Sequence, residues 1–301
     1  MNKIKPWLSA MRLRTLPLSV SGIILGSCFA YYNGRFNPWI FSFAMLTTIS
    51  LQILSNLAND YGDGVRGTDN DERLGPKRAI QSGAISPDEM MDGIKLNIIL
   101  VIIFTMALIW NAFDPSSLLY IFLFLFLGGL SVYAALNYTM GNSPYGYRAL
   151  GDVFVFVFFG LLSTMGSYFL YLHTLDHVVV LPAIAIGFLS VGVLNLNNMR
   201  DIDSDTNAGK ITLAIKLGRA GAKRYHYALI VGAMLITILF SLLYYVEPYN
   251  FLFLIAFLPL CIHVLKIKKA KTAQDFDSQL KVLALSTFLM AILLGVGYIL
   301  Y

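Results

Sequence analysis

Apolar residues in this chain run in blocks of about twenty, separated by short polar stretches. A helix of that length crosses a ~30 Å hydrocarbon core. The blocks predict nine spans, near residues 15–33, 38–59, 95–113, 116–137, 150–172, 178–198, 226–246, 250–266 and 280–300. Asp114–Pro115 and Glu247–Pro248 read as tight turns between antiparallel neighbours. The basic N-terminus leads into Thr15 to Tyr32, a block long enough to stay in the bilayer, so no cleaved leader is expected. The predicted fold class is an all-α polytopic membrane protein, nine transmembrane helices around a central cavity. No low-complexity stretch or linker divides the chain, so residues 1–301 are expected to form a single membrane domain.

Composition agrees. The chain is 57% hydrophobic and 13% charged, against about 25% charged in soluble domains. Charge then sets the orientation. Of the 22 lysines and arginines, 21 fall on one side of the nine alternating crossings and only Arg35 on the other. By the positive-inside rule the N-terminus is cytoplasmic and the C-terminus external. Basic loops facing anionic lipid account for the net charge of +5 without a nucleic-acid partner. Cys28 and Cys261 lie in separate apolar blocks and form no metal or disulfide spacing. The four histidines, His173, His177, His226 and His263, are expected at span ends or in external turns, without chemistry.

Against this background two acid clusters stand out: Asn56–Leu57–Ala58–Asn59–Asp60–Tyr61–Gly62–Asp63 and Asn197–Asn198–Met199–Arg200–Asp201–Ile202–Asp203–Ser204–Asp205. Each sits where a span runs out at the predicted cytoplasmic face. A shift of 141 residues lays Asn56 on Asn197 and Asp60 on Asp201, and the second span on the sixth. Each cluster is followed by a long polar, Gly-containing loop. The correspondence suggests a repeated unit of four helices around a cavity.

Asn56, Asp60 and Asp63 fall on one helix face, with Gln52 one turn deeper, and Asn197, Asp201 and Asp205 repeat the four-residue step. The macrodipole at these C-terminal helix ends is negative and repels carboxylates by up to ~1 kcal/mol each. Such crowding requires cations. Oxygen donors without Cys or His favour Mg²⁺, which binds through a few carboxylates and substrate phosphates. Arg66, Arg73, Lys77 and Arg78 follow the first cluster, and Lys210 follows the second. Acids for metal and bases for the outer oxygens of an anion make a diphosphate site. A solvated cap explains one aspartate at a span end, but not two clusters at matching depth with matching amides and basic loops. Beside a deep apolar cavity the natural diphosphate is a polyprenyl one, whose allylic C–O bond ionises toward a carbocation that aromatic faces stabilise.

These residues resemble the UbiA superfamily of intramembrane prenyltransferases, and within it the MenA branch acting on 1,4-dihydroxy-2-naphthoate. Four stretches carry the resemblance. They are Trp7–Leu8–Ser9–Ala10–Met11–Arg12–Leu13–Arg14–Thr15–Leu16–Pro17, then Asn59–Asp60–Tyr61–Gly62–Asp63 continuing to Gly75–Pro76, then Gly146–Tyr147–Arg148–Ala149–Leu150–Gly151–Asp152, and Asn198 through Asp205 on to Gly209–Lys210–Ile211–Thr212–Leu213–Ala214. The superfamily pattern places a third acid at position 67, where this chain has Gly67; the next acid is Asp69. The Lys-Arg pair of hydroxybenzoate-type members is also missing. Tyr138 and Arg148 occupy that region, which disfavours 4-hydroxybenzoate as acceptor.

The resemblance implies a Mg²⁺-dependent transfer of a polyprenyl group from polyprenyl diphosphate to 1,4-dihydroxy-2-naphthoate. CO₂ and diphosphate leave and demethylmenaquinone forms, in menaquinone synthesis at a bacterial inner membrane with the site facing the cytoplasm. It implies Asn56, Asp60 and Asp63 on one Mg²⁺ and Asn197, Asp201 and Asp205 on another, the four aspartates being the catalytic set. Arg66, Lys77, Arg78 and Lys210 would bind diphosphate. Arg14, Tyr138 and Arg148 are candidates for the acceptor side or the cavity rim. Homogentisate, 4-hydroxybenzoate or a haem is the alternative acceptor. A CDP-alcohol phosphotransferase fails on spacing, because its second aspartate pair belongs a dozen residues on. A cation-coupled transporter would hold its ion site near the midplane, not at span ends.

Overall fold

The computed structural model describes residues 3–68 and 77–300. Asp69, Asp71, Glu72, Arg73, Gly75 and Pro76 lie outside the described residues. Among those described, nine helices are long and apolar enough to cross a membrane. They are Ile4–Tyr32, Pro38–Arg66, Pro87–Ala112, Leu118–Asn137, Gly151–Leu172, His177–Arg200, Leu213–Leu243, Pro248–Lys269 and Ala273–Ile299. The chain is thus a multi-pass, all-helical membrane protein.

Local chemistry sets the helix starts. Asn37 caps the second span, its side chain accepting from Trp39 and Ile40 N–H, with Pro38 in the first turn. Ser86 and Glu89 form a reciprocal capping box ahead of the third, and Thr272 and Asp275 do the same for the ninth. Gly67 closes the second helix in left-handed backbone, φ 73°.

Several helices start well before the apolar block begins: the third at Pro87, the ninth at Ala273, and the seventh at Leu213, with a break at Gly218 (φ 68°) inside that extension. These amphipathic extensions carry the helices beyond the apolar blocks. The first cluster sits inside the second helix, which continues to Arg66, so Asp60 and Asp63 keep helical spacing. In the second cluster Asp201 marks a break, and a short helix, Ile202–Asn207, follows. The Asp201 N–H still donates to the Asn197 carbonyl and the Asp205 N–H to the Asp201 carbonyl, which preserves the four-residue step.

The second span packs most extensively on the third and the sixth on the seventh, while the first and ninth lie side by side. Where lipid replaces water, close packing and interhelical hydrogen bonds hold helices together. Gly160 in the fifth span backs onto Gly187 in the sixth so closely that a Cβ on Gly160 would lie 2.5 Å from Gly187 Cα. The middle of the fifth span, Phe156–Gly166, is wound as a π-helix, a form that recurs at functional sites.

His226 and His263 correct the expectation of histidines at span ends. Both are fully buried, their Nε2 atoms 2.8 Å apart, and His263 Nδ1 lies 3.3 Å from Gln279 Oε1. They tie the seventh, eighth and ninth spans together.

Candidate active site

A cavity of about 700 Å³ opens among the first six spans and the ninth. On the second span its lining runs from Asp60 to Ala44, about 24 Å of helix at 1.5 Å per residue. Its depths are apolar, with Leu108, Phe124, Leu127, Phe159 and Leu162 in the wall. Its mouth is polar and carries Arg14, Asn59, Asp60, Lys77, Arg78, Asn197, Arg200, Asp277 and Lys281. Tyr138, Tyr145, Phe154 and Phe158 form an aromatic ladder along one side. Tyr138 meets Tyr145 edge-on at 5.3 Å, and Tyr145 stacks on Phe154 at 3.9 Å. Burial pushes the Tyr138 phenol up to about 12, so its hydroxyl keeps its proton.

The two acid clusters meet at this end of the bundle, where Asp60 and Asn197 line the cavity and Asp63, Asp201, Asp205 and Lys210 lie outside its lining. Lys210 Nζ lies 3.9 Å from Asp63 Oδ2 and 3.6 Å from Asp205 Oδ1, one ammonium between a carboxylate of each cluster. Burial disfavours the Lys210 charge, yet Asp63 and Asp205 hold its ammonium above the ordinary lysine value. Burial also raises the Asp205 carboxyl to about 6, with Lys210 pulling it down and Asp201 and Asp63 pushing it up. The loop that delivers Lys210 is pinned. Ala149 N–H donates to the Ile211 carbonyl at 2.8 Å, in a parallel bridge pairing Arg148 with Ile211. That bridge sets Tyr147 beside Lys210. The Tyr147 hydroxyl donates to Asp63 Oδ1 at 2.8 Å and sits 2.7 Å from Thr68 Oγ1, and Lys210 Nζ stands 5.4 Å from the ring centroid.

Asp60 is buried, its Oδ2 accepting from Ala79 N–H at 3.2 Å, which draws the 77–79 loop with Lys77 and Arg78 over the cavity. Asp201 is held side-on by Arg200, whose Nε and Nη2 donate to its two oxygens at 2.7 and 2.6 Å. The same guanidinium reaches Asn197 Oδ1 at 2.8 Å and Asp277 Oδ1 on the ninth span at 2.6 Å.

Three expected ligands are used differently. Asn56 donates to the Met11 carbonyl at 2.9 Å and to Thr15 Oγ1 at 3.1 Å, and its amide oxygen accepts from Gln52. These bonds fasten the N-terminal turn to the second span. Arg66, in the last helical turn, donates to the Gly141 carbonyl and lies 5.2 Å above the Tyr147 ring, outside the cavity lining. Arg148 is exposed and donates to Ser143 Oγ at 3.3 Å, also outside that lining; its backbone, not its charge, contributes.

Tyr147, Arg200, Asp277 and Lys281 had not been singled out. Arg200 could have been, since it stands inside the second motif. Tyr147 lies in a quoted stretch, but nothing in its spacing marks it. Asp277 and Lys281 belong to a segment far along the chain whose relation to the clusters only packing reveals.

Among the described residues no three His, Cys, Asp or Glu side chains group closely enough to hold a metal alone. The donors gathered here are hard oxygens, which suit Mg²⁺ completed by phosphate oxygens.

The sequence matches the profile of the UbiA prenyltransferase family over residues 19–292. It is 45% identical over 255 residues to a 1,4-dihydroxy-2-naphthoate octaprenyltransferase of Escherichia coli (strain K12), covering 85% of this chain and 82% of that one. It is 40% identical over 297 residues to the protein of that name in Haemophilus influenzae, covering 98% and 96%. Among solved structures, a UbiA homologue from Aeropyrum pernix K1 superposes over 97% of both chains with a TM-score of 0.64 at 17% identity. A UbiA homologue from Archaeoglobus fulgidus bound to GPP and Mg²⁺ gives a TM-score of 0.64 at 13% identity, over 96% of this chain and 99% of that one.

Proposed function

The chain belongs to the UbiA prenyltransferase family, and from that premise we propose that it transfers a polyprenyl group to 1,4-dihydroxy-2-naphthoate in menaquinone synthesis. The allylic C–O bond of the polyprenyl diphosphate breaks and diphosphate leaves with the electron pair. A new C–C bond joins the prenyl carbon to the ring, and the ring gives up its carboxylate as CO₂. The product is demethylmenaquinone in its quinol form.

The observation that carries this reading is the Lys210 ammonium between Asp63 and Asp205. It unites clusters from two distant spans at the end of the bundle where the cavity opens. Asp60, Asp63, Asp201 and Asp205, with the Asn197 amide, would hold Mg²⁺. When bound, Mg²⁺ supplies positive charge against the leaving diphosphate. Lys77, Arg78 and Lys210 bind the outer diphosphate oxygens as charge-assisted donors. The apolar wall takes the isoprenoid tail and keeps water from the allylic cation. The ladder Tyr138, Tyr145, Phe154 and Phe158 offers that cation aromatic faces near the mouth. The one-sided distribution of lysine and arginine supports a cytoplasmic N-terminus and a site facing the cytoplasm of a bacterial inner membrane. Residues 1–301 act as one prenyltransferase domain.

The test supplies purified protein with a polyprenyl diphosphate, Mg²⁺ and, in parallel, 1,4-dihydroxy-2-naphthoate, 4-hydroxybenzoate and homogentisate. Mass spectrometry should find a decarboxylated prenyl naphthoquinol from the first alone. A prenylated benzoate or homogentisate product in its place would reassign the acceptor.

A further inference from the structure

Two cations on the cavity wall have no acid to answer them. Arg14 lies in the turn Leu13–Thr15 that joins the two helical parts of the first span, Ile4–Met11 and Leu16–Tyr32, Lys281 lies in the third turn of the ninth, and both line the cavity. Neither makes an ion pair or side-chain hydrogen bond among the described residues. Arg200 and Lys210, by contrast, are committed to Asp201 and Asp277 and to Asp63 and Asp205.

Packing brings the two uncommitted cations to one level. A Cβ on Gly295 would meet Cys28 Sγ at 2.7 Å, and the Phe29 and Tyr298 rings lie 5.6 Å apart. The first and ninth spans run parallel, so stepping back equally from Cys28 and Gly295 reaches Arg14 and Lys281 together. Leu18 and Ser19 on one helix and Leu280 and Ala284 on the other line the cavity in the same register.

A third group faces this wall from the sixth span. Ser190 is 1% exposed and lines the cavity, and its Oγ has no hydrogen-bond partner. Several other span serines are satisfied, either by their own helix, as Ser131 donating to the Leu127 carbonyl at 2.7 Å and Ser286 to the Val282 carbonyl at 2.8 Å, or by a neighbour, as Ser167 donating to the Ile23 carbonyl at 3.2 Å. A Cβ on Gly192 would touch Leu283 at 3.4 Å. The sixth and ninth helices run antiparallel, so Ser190 lies about 6 Å deeper than Lys281 at 1.5 Å per residue.

We propose that Arg14 and Lys281 bind the carboxylate of the aromatic acceptor, and that Ser190 takes a hydroxyl on the far side of its ring. This rests on the prenyl-transfer reading and adds where the acceptor lies. The ligand class is a planar aromatic carboxylate carrying a ring hydroxyl. Asp277, one turn from Lys281, is turned to Arg200, so among the described residues the first and ninth spans offer no unpaired carboxylate on this wall to share a metal. The acceptor site therefore works without Mg²⁺, whereas the diphosphate site beside Asp60 requires it.

The experiment titrates 1,4-dihydroxy-2-naphthoate into metal-free protein under anaerobic conditions, using wild type, Lys281→Gln, Lys281→Arg and Ser190→Ala. Wild type should bind without Mg²⁺, Lys281→Gln about tenfold or more weakly, Lys281→Arg nearly as well as wild type, and Ser190→Ala a few-fold more weakly. In turnover the KM for the naphthoate should rise in Lys281→Gln while the KM for polyprenyl diphosphate stays put. 1,4-Naphthalenediol, which lacks the carboxylate, should bind wild type and Lys281→Gln alike. Equal naphthoate affinity in wild type and Lys281→Gln, no binding to the metal-free wild type, or a rise confined to the diphosphate KM each overturns the site. Should Lys281→Gln fail to fold, wild type decides: equal affinity for the naphthoate and the diol also overturns it. A wild type that binds the naphthoate but never prenylates it contradicts the reaction, not the site.

Discussion

Tyr147 joins what the sequence separates: its hydroxyl holds Asp63 and its ring faces Lys210, which reaches Asp205. Tyr147→Phe keeps the ring and loses the hydrogen bond to a charged acceptor, a contribution of about 1.5 kcal/mol or more. The Mg²⁺ concentration for half-maximal rate should therefore rise about tenfold, and an unchanged Mg²⁺ titration would rule out the positioning role. Arg200 is the other residue on which the mouth depends. Its side chain is 2% exposed and paired with Asp201 and Asp277. Arg200→Ala would leave two acids without their cation, and removing one member of such a buried pair costs about 3–5 kcal/mol. A large drop in melting temperature in detergent is expected, and a variant as stable as wild type would contradict this. The sequence revealed Asp60, Asp63, Asp201 and Asp205 because carboxylates are conspicuous at the ends of apolar blocks. Tyr147, Asp277 and Lys281 were hidden because an aromatic in a loop, or a charge near a span start, is ordinary until packing shows what it faces. The bonds of Asn56 to Met11, Thr15 and Gln52 were hidden for a related reason: helical spacing gives the face a side chain occupies, not the partners that reach it.

At the scale of the helix, hydropathy located every span and misjudged where several began. It senses only the lipid-facing stretch, and the amphipathic turns before residues 95, 226 and 280 carry enough charge to drop below any apolar threshold. Those turns matter, because Asp277 and the Thr272–Asp275 capping box lie in one of them. The second helix depends on a close approach. A Cβ on Gly62 would lie 2.6 Å from Thr139 Oγ1 and 2.8 Å from the Thr139 backbone, and Thr139 itself donates to the Ala58 carbonyl at 3.0 Å. Gly62→Ala must push the helix end that carries Asp60 and Asp63 away from the fourth-to-fifth loop. Activity should fall by about tenfold or more, since small misplacements of a catalytic constellation are costly. Activity and stability both equal to wild type would show that the contact positions nothing.

At the scale of the molecule, the nine long apolar helices of the described residues bring the ends of the second and sixth spans to one side of one cavity, and the loop from residue 207 to 212 closes the gap between them. The count of spans and the shared end were legible from block length and charge asymmetry. The cavity's shape was not, because apolar wall residues look alike in sequence whether they face lipid, a neighbour or a substrate. The proposed prenyl transfer requires the two clusters to act as a single Mg²⁺–diphosphate clamp. The most direct test is the rate of naphthoate prenylation by purified protein, before chelation, after it and after Mg²⁺ is restored, in wild type, Asp60→Ala and Asp201→Ala. Wild type should lose activity on chelation and regain it with Mg²⁺, and each variant should fall to background at every Mg²⁺ concentration. Full activity in either variant, or in chelated wild type, would contradict the clamp.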